Sequence, residues 1–210
     1  MNITKVLLGV LLGFMYYMNY LGAATNKLGV KISELGVIFP FSFMPPAWVF
    51  MLSWASIFIG LLIWYFVIVC KKNALSCKEL QLFFISMILN ITWLIMSGLG
   101  FTVVSVIVLA ALGVTIAMMI VSQNSKSTHH SLTSIVWGIY FGWILIATVV
   151  IGFSQIVYVY NPVFALGETW MYSIILGAFL SIIISYRILG NIYALMWSMF
   201  ILTACLIKLM

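Results

Sequence analysis

The chain has no aspartate, and its three acids, Glu34, Glu79 and Glu168, fall in loops or at the ends of apolar runs. Ion-coupled transporters and proton pumps carry their coupling charge on ionisable groups inside the membrane, so this scarcity argues against that class. Charge of either sign is rare: 6% of residues are charged, against about 25% in soluble domains. The three cysteines, Cys70, Cys77 and Cys205, show no metal-ligand spacing. Cys70 and Cys77 flank one loop expected to face the cytoplasm, where thiols stay reduced, and they read as buried or juxtamembrane thiols with palmitoylation a lesser option. No lysine lies inside the last apolar run, only Lys208 at its end, which excludes a retinal Schiff base. His129-His130 sits in the polar stretch Ser122 to Ser131, a solvated turn rather than a metal or haem site.

What the chain has is apolar surface. Hydrophobic residues make up 66% of it and the mean hydropathy is +1.28, so it reads as an all-α polytopic membrane protein. The apolar runs are long and uninterrupted, unlike the short alternating strands of an outer-membrane barrel. At about 20 residues per crossing, seven spans are expected: Thr4 to Ala23, Pro45 to Val69, Leu80 to Leu99, Phe101 to Val121, Leu132 to Tyr158, Glu168 to Tyr186 and Leu189 to Ile207. The third and fourth are separated only by Ser97-Gly98-Leu99-Gly100, which demands a tight turn. The fifth is long enough to tilt, or to end near Gly152 and continue irregularly to Asn161-Pro162. The last boundary, Arg187 to Asn191, carries charge and the turn residues Gly190 and Asn191.

With the N-terminus inside, the cytoplasmic side holds Lys5, Lys71, Lys72, Lys78, Lys126 and Arg187, and the other side holds Lys27, Lys31 and Lys208. The positive-inside rule thus predicts a cytoplasmic N-terminus and an outer C-terminus, with the cytoplasmic (inner) membrane as the expected location. The net charge of +6 is then a topology signal with some affinity for anionic lipid, and nucleic acid is not expected as a partner. The first apolar run is too long for a signal peptide, and Tyr16, Tyr17, Asn19 and Tyr20 give it a polar-aromatic face, so it is read as a span. The longest connection, residues 25–44, contains Lys27, Lys31, Glu34, Pro40 and Phe43. Its aromatic content suits a lid packed over the bundle, which places the ligand mouth on the outer side.

Phe43-Met44-Pro45-Pro46-Ala47-Trp48-Val49-Phe50 followed by Trp54 is the most distinctive stretch. Proline suits the start of a helix because its missing N–H has no intrahelical partner there. Trp48 and Trp54 are six residues apart, so they could line one cavity only at different depths. An interfacial aromatic belt is the competing reading on position alone. Gly9-x-x-x-Gly13 and Gly138-x-x-x-Gly142 each put two glycines on one helix face and allow close backbone approach, more often within a bundle than at a dimer seam.

Pro45-Pro46-Ala47-Trp48-Val49-Phe50 with Trp54 and Gly60 resembles the second-helix signature of the TspO/MBR family, the tryptophan-rich sensory and translocator proteins. Leu89-Asn90-Ile91-Thr92-Trp93 is similar to the family's third-helix motif, and Tyr140-Phe141-Gly142-Trp143 through Ala147-Thr148 to its fifth-helix motif. The resemblance covers roughly Tyr16 to Phe153. It implies a five-helix bundle over residues 1–158, with residues 159–210 adding two transmembrane helices. It further implies an intrabundle pocket for an apolar or tetrapyrrole ligand (porphyrin, haem or a sterol-like lipid), no required cofactor, and a homodimer as an option. The implied ligand-binding residues are Pro45, Trp48, Phe50, Trp54, Asn90, Trp93, Tyr140, Trp143 and Ala147.

The pattern departs from the family at Ile139, where proline is common, at Ile151, where asparagine is common, and at Ser86, where glutamine is common. Loss of the paired polar positions at Ser86 and Ile151 suggests a ligand different from the usual one. Asn90 serves equally well as a ligand anchor or as an interhelical hydrogen bond. The expected function is a receptor or transporter-like binding protein. A porphyrin-degrading enzyme and a structural subunit of a larger membrane complex are the alternatives.

Overall fold

The computed structural model describes residues 3–29, 45–69, 75–124, 132–165 and 167–209. The first-loop segment 30–44, with Lys31, Glu34 and Pro40, lies outside the described residues, as do Cys70, Lys71, Lys72, Lys126 and the histidine pair.

The described chain is helical throughout: α1 (Ile3–Ala24), α2 (Ala47–Trp64), α3 (Cys77–Gly98), α4 (Thr102–Asn124), α5 (Leu132–Ile146), α6 (Phe153–Tyr160), α7 (Pro162–Ala165), α8 (Glu168–Leu189) and α9 (Ile192–Leu209). A π-helical segment, Tyr65–Val69, extends α2, and another, Ala147–Gly152, joins α5 to α6 in one 29-residue span, Leu132–Tyr160. Six spans are long and apolar enough to cross a membrane, and α9 is a shorter one of 18 residues. At 1.5 Å per residue it is about 27 Å long, close to the roughly 30 Å hydrocarbon core. The molecule is an all-α polytopic membrane protein.

Local chemistry sets the boundaries. Pro46 caps α2 from outside it, extended at ψ 146°, and its carbonyl accepts from the Val49 and Phe50 N–H groups. The Pro-Pro pair therefore precedes the helix rather than forming its first turn. Ser76 and Glu79 form a capping box on α3: the Ser76 hydroxyl accepts from the Glu79 N–H and the Glu79 carboxylate from the Ser76 N–H. The short α3–α4 connection turns at Gly100, with φ +80°, and α8 stops at Gly190, with φ +61°, conformations a Cβ would strain.

The first five spans close a ring. α1 packs on α3, α3 on α4, α4 on α5, and α5 on α2. Two tyrosines complete it between α2 and α1: Tyr16 donates to the Phe58 carbonyl at 2.5 Å, and Tyr65 to the Lys5 carbonyl at 2.7 Å. The Tyr65 hydroxyl lies where a Cβ on Gly9 would sit, whereas Gly13 faces open space.

The last helix is built into this ring from outside. α9 lies along α5, and α8 packs on α9 and on the π segment. A Cβ on Gly138 would come within 2.4 Å of Asn191 Oδ1, and one on Gly142 within 2.9 Å of the Ala194 carbonyl. The Gly138/Gly142 face is thus the groove that receives α9. Asn191 fastens the contact by donating to the Ser134 backbone carbonyl and hydroxyl, both at 3.1 Å, and caps α9 at the Ala194 N–H. Exposed Leu7, Phe14, Ile107 and Leu176 give the outer surface its apolar character, as lipid solvation allows.

Candidate ligand site

The middle of the ring is polar on one line and aromatic around it. Asn19 of α1 donates through Nδ2 to the Met15 carbonyl and to Asn90 Oδ1 of α3, both at 2.8 Å. Asn90 in turn donates to the Tyr140 hydroxyl of α5 at 2.9 Å. All three side chains are buried, so the line ties three helices away from bulk solvent. Asn90 therefore makes the interhelical hydrogen bonds that were one of its two expected roles.

Around this line runs a chain of rings. Trp54 stacks on Phe50 at 5.2 Å, meets Phe58 edge-on at 5.4 Å, and approaches Trp93 at 6.3 Å. Phe50 also meets Trp143 edge-on at 5.1 Å. Offset and edge-to-face geometries are those that aromatic quadrupoles favour, so this wall is ordered by specific contacts.

Among the described residues two small cavities lie inside it. The larger, about 30 Å³, lies among Phe50, Ser97, Ser105, Ala147, Ile151 and Gln155. The smaller, about 10 Å³, lies among Asn19, Trp54, Phe58, Asn90 and Tyr140. Trp93 and Trp143 line both and form the partition between them. Each void is on the scale of a water molecule, well below the several hundred Å³ typical of pockets for drug-sized ligands. Neither void accommodates a tetrapyrrole in this conformation.

Of the nine residues implied by the resemblance, Phe50, Trp54, Asn90, Trp93, Tyr140, Trp143 and Ala147 come together on these cavities. Pro45 is buried at the start of α2 and lines neither. Trp48 stands on the other side of its helix, 59% exposed, with its ring against Phe200 of α9 at 6.1 Å. Trp48 and Trp54 thus diverge to the outside and the inside of the ring. Ser86 bonds within its own helix to the Phe83 carbonyl, and Ile151 gives the larger cavity an apolar wall where the family pattern often has an amide.

The polar lining residues not singled out as site residues from sequence are Asn19, Ser97, Ser105 and Gln155. Asn19 was visible as part of the polar-aromatic face of the first span. Its partner lies 71 positions away, and nothing local reveals the pairing. Among the described residues no histidine, cysteine or methionine lines either cavity, so haem iron would find none of those axial ligands among them. No group of three or more metal-ligating side chains occurs among the described residues.

Neither the curated proteins nor the solved structures contain a match to this chain. A family model does match, that of the TSPO-like protein family, over residues 5–207, a stretch that runs through α8 and α9 as well as the five-span ring. The chain belongs to the TSPO-like protein family.

Proposed function

We propose that this protein binds a small apolar ligand, transiently, in the site now divided between the two interior cavities. The observation that carries this reading is the convergence of seven family-motif positions from three helices on one place, with Trp93 and Trp143 standing between two voids. Rotation of those indoles joins the voids without breaking a backbone hydrogen bond. A mostly apolar chamber with a few placed polar groups is the usual form of a small-molecule site.

The ligand on this reading is flat or elongated and enters from the membrane or from the outer aqueous side. Receptor or transporter behaviour follows from reversible filling, and no catalytic group is required. A porphyrin is one such ligand if the indoles yield enough room. Topology by charge keeps the N-terminus cytoplasmic and the C-terminus outside. A homodimer on this reading uses a surface other than the Gly138/Gly142 face, which α9 occupies.

The test is tryptophan quenching by protoporphyrin, titrated into the full chain in lipid nanodiscs. Ala147→Leu fills the larger cavity and is expected to weaken saturable quenching about tenfold or more, whereas Trp48→Ala, on the outer face, leaves the affinity unchanged. Equal affinities for wild type and Ala147→Leu, with that variant folded, contradict the reading.

A further inference from the structure

A groove on the outside of the ring, between the N-terminal parts of α1 and α3, has a volume of about 680 Å³, against about 30 and 10 Å³ for the interior cavities. That is the size of sites that hold whole small molecules. It shares no lining residue with either interior cavity.

The two helices that form it run parallel. Asn19 bonds Asn90, a Cβ on Gly22 would meet Leu94 at 3.2 Å, and Thr4 shares the groove with Cys77. Both helices therefore start at the same membrane face. The lining changes character away from that face. Thr4, Cys77 and Gln81 give it polar side chains at or near the first turns. Leu7, Leu80, Phe84 and Ile85 continue it as an apolar trough over a floor of buried Leu8. From Cys77 to Ile85 a helix rises about 12 Å, close to the roughly 15 Å that is half the hydrocarbon core. A polar end followed by an apolar stretch one leaflet deep is the profile of a lipid.

Charge selects among lipids. Lys5 and Lys78 stand in the same two first turns, each next in sequence to a lining residue. Lys71 and Lys72 fall in the connection that leads into α3. The acid beside Lys78, Glu79, is fully buried and turned inward to Ser76 and Gln123, so it does not reach the surface. Lysines grouped at the end of a transmembrane helix attract anionic headgroups.

We propose that this groove binds one anionic phospholipid, with an acyl chain in the trough, the phosphate at the first turns of α1 and α3, and Lys5 and Lys78 supplying the charge. The exposed Gln81 amide is a neutral donor to the phosphate or ester oxygens. With the N-terminus in the cytoplasm, the lipid comes from the cytoplasmic leaflet, which is the anionic one. The site does not depend on the interior cavities, and failure of either reading leaves the other standing.

The experiment is native mass spectrometry of the full chain in detergent, titrated with dioleoyl phosphatidylglycerol or dioleoyl phosphatidylcholine. One phosphatidylglycerol is expected to bind about tenfold more tightly than phosphatidylcholine. Lys5→Gln with Lys78→Gln is expected to abolish that preference, whereas Arg187→Gln, which removes the same charge from the end of α8, leaves it intact. Ile85→Trp puts a larger side chain on the wall of the trough and is expected to weaken both lipids. Location is read from Cys77 itself. In the Cys70→Ser chain, where Cys205 is buried and Cys77 exposed, saturating phosphatidylglycerol is expected to slow alkylation by N-ethylmaleimide several-fold.

Equal affinities for the two lipids, or a preference that survives loss of both lysines, overturns the proposal. An unchanged alkylation rate at lipid saturation places the lipid elsewhere and overturns it too. A dimer in place of the lipid adduct, dispersed by Ile85→Trp, gives the groove to a second copy of the chain and is equally contrary.

Discussion

The Asn90 side-chain amide donates to the Tyr140 hydroxyl at 2.9 Å, joining α3 to α5 at the centre of the ring. Both residues sit in family motifs, and both line the smaller cavity. The same pair thus holds the bundle together and borders the place where a ligand would lie.

The pair has a measurable coupling. Interhelical hydrogen bonds in membranes are worth about 0.6 kcal/mol on average and up to roughly 1.7. A double-mutant cycle of Asn90→Leu and Tyr140→Phe, read by reversible denaturation in mixed micelles, is expected to fall at the upper part of that range because both groups are buried. Asn90→Leu alone costs more than Tyr140→Phe alone, since it also strips Asn19 of an acceptor. Additive single effects would show that the bond contributes nothing.

The four glycines of the two Gly-x-x-x-Gly motifs are predicted to behave differently. A methyl on Gly142 meets the backbone of α9 at 2.9 Å, and one on Gly138 meets Asn191 and Tyr193. Gly142→Ala is expected to lower the melting temperature and to expose α9 to proteolysis. Gly13→Ala meets nothing within 4 Å, so it is expected to be neutral or to stabilise by up to about 1 kcal/mol through helix propensity. Equal effects at Gly13 and Gly142 would contradict the packing of α9 on α5.

Glu79 is the one fully buried carboxylate among the described residues, and it joins two helices at one end of the bundle. It caps α3 through Ser76 and also accepts from Ser122 and Gln123 of α4. Ser76→Ala is expected to cost about 0.5–2 kcal/mol, the range for loss of an N-cap. Glu79→Ala is expected to cost more, because it leaves the buried Gln123 amide without that acceptor. Thermal unfolding followed by circular dichroism orders the two variants, and the reverse order would contradict the clamp.

The spans were legible in the sequence because a bilayer imposes one length and one polarity on all of them. The turns at Gly100 and Gly190 were legible because only glycine adopts their positive φ easily. The break in the fifth span was foreseeable near Gly152 from excess length, although nothing local announces the π-helical form of Ala147–Gly152. Which way a side chain points was not legible. A membrane helix is apolar on its lipid face and its core face alike, so periodicity does not separate Trp48 from Trp54. That distinction rests on α9, whose docking on Gly138 and Gly142 depends on residues some fifty positions away. Asn19 was hidden for the same reason: a polar residue in a span announces a partner without naming it.

The most direct test of the ligand site is fluorine NMR of the chain labelled with 5-fluorotryptophan in nanodiscs, with single Trp→Phe variants assigning the resonances. On addition of 2-naphthalenemethanol, the signals of Trp54, Trp93 and Trp143 are predicted to shift together and saturate, while that of Trp48 stays in place. A shift confined to Trp48, or interior signals unmoved at saturating probe, would place the ligand outside the bundle and contradict the account.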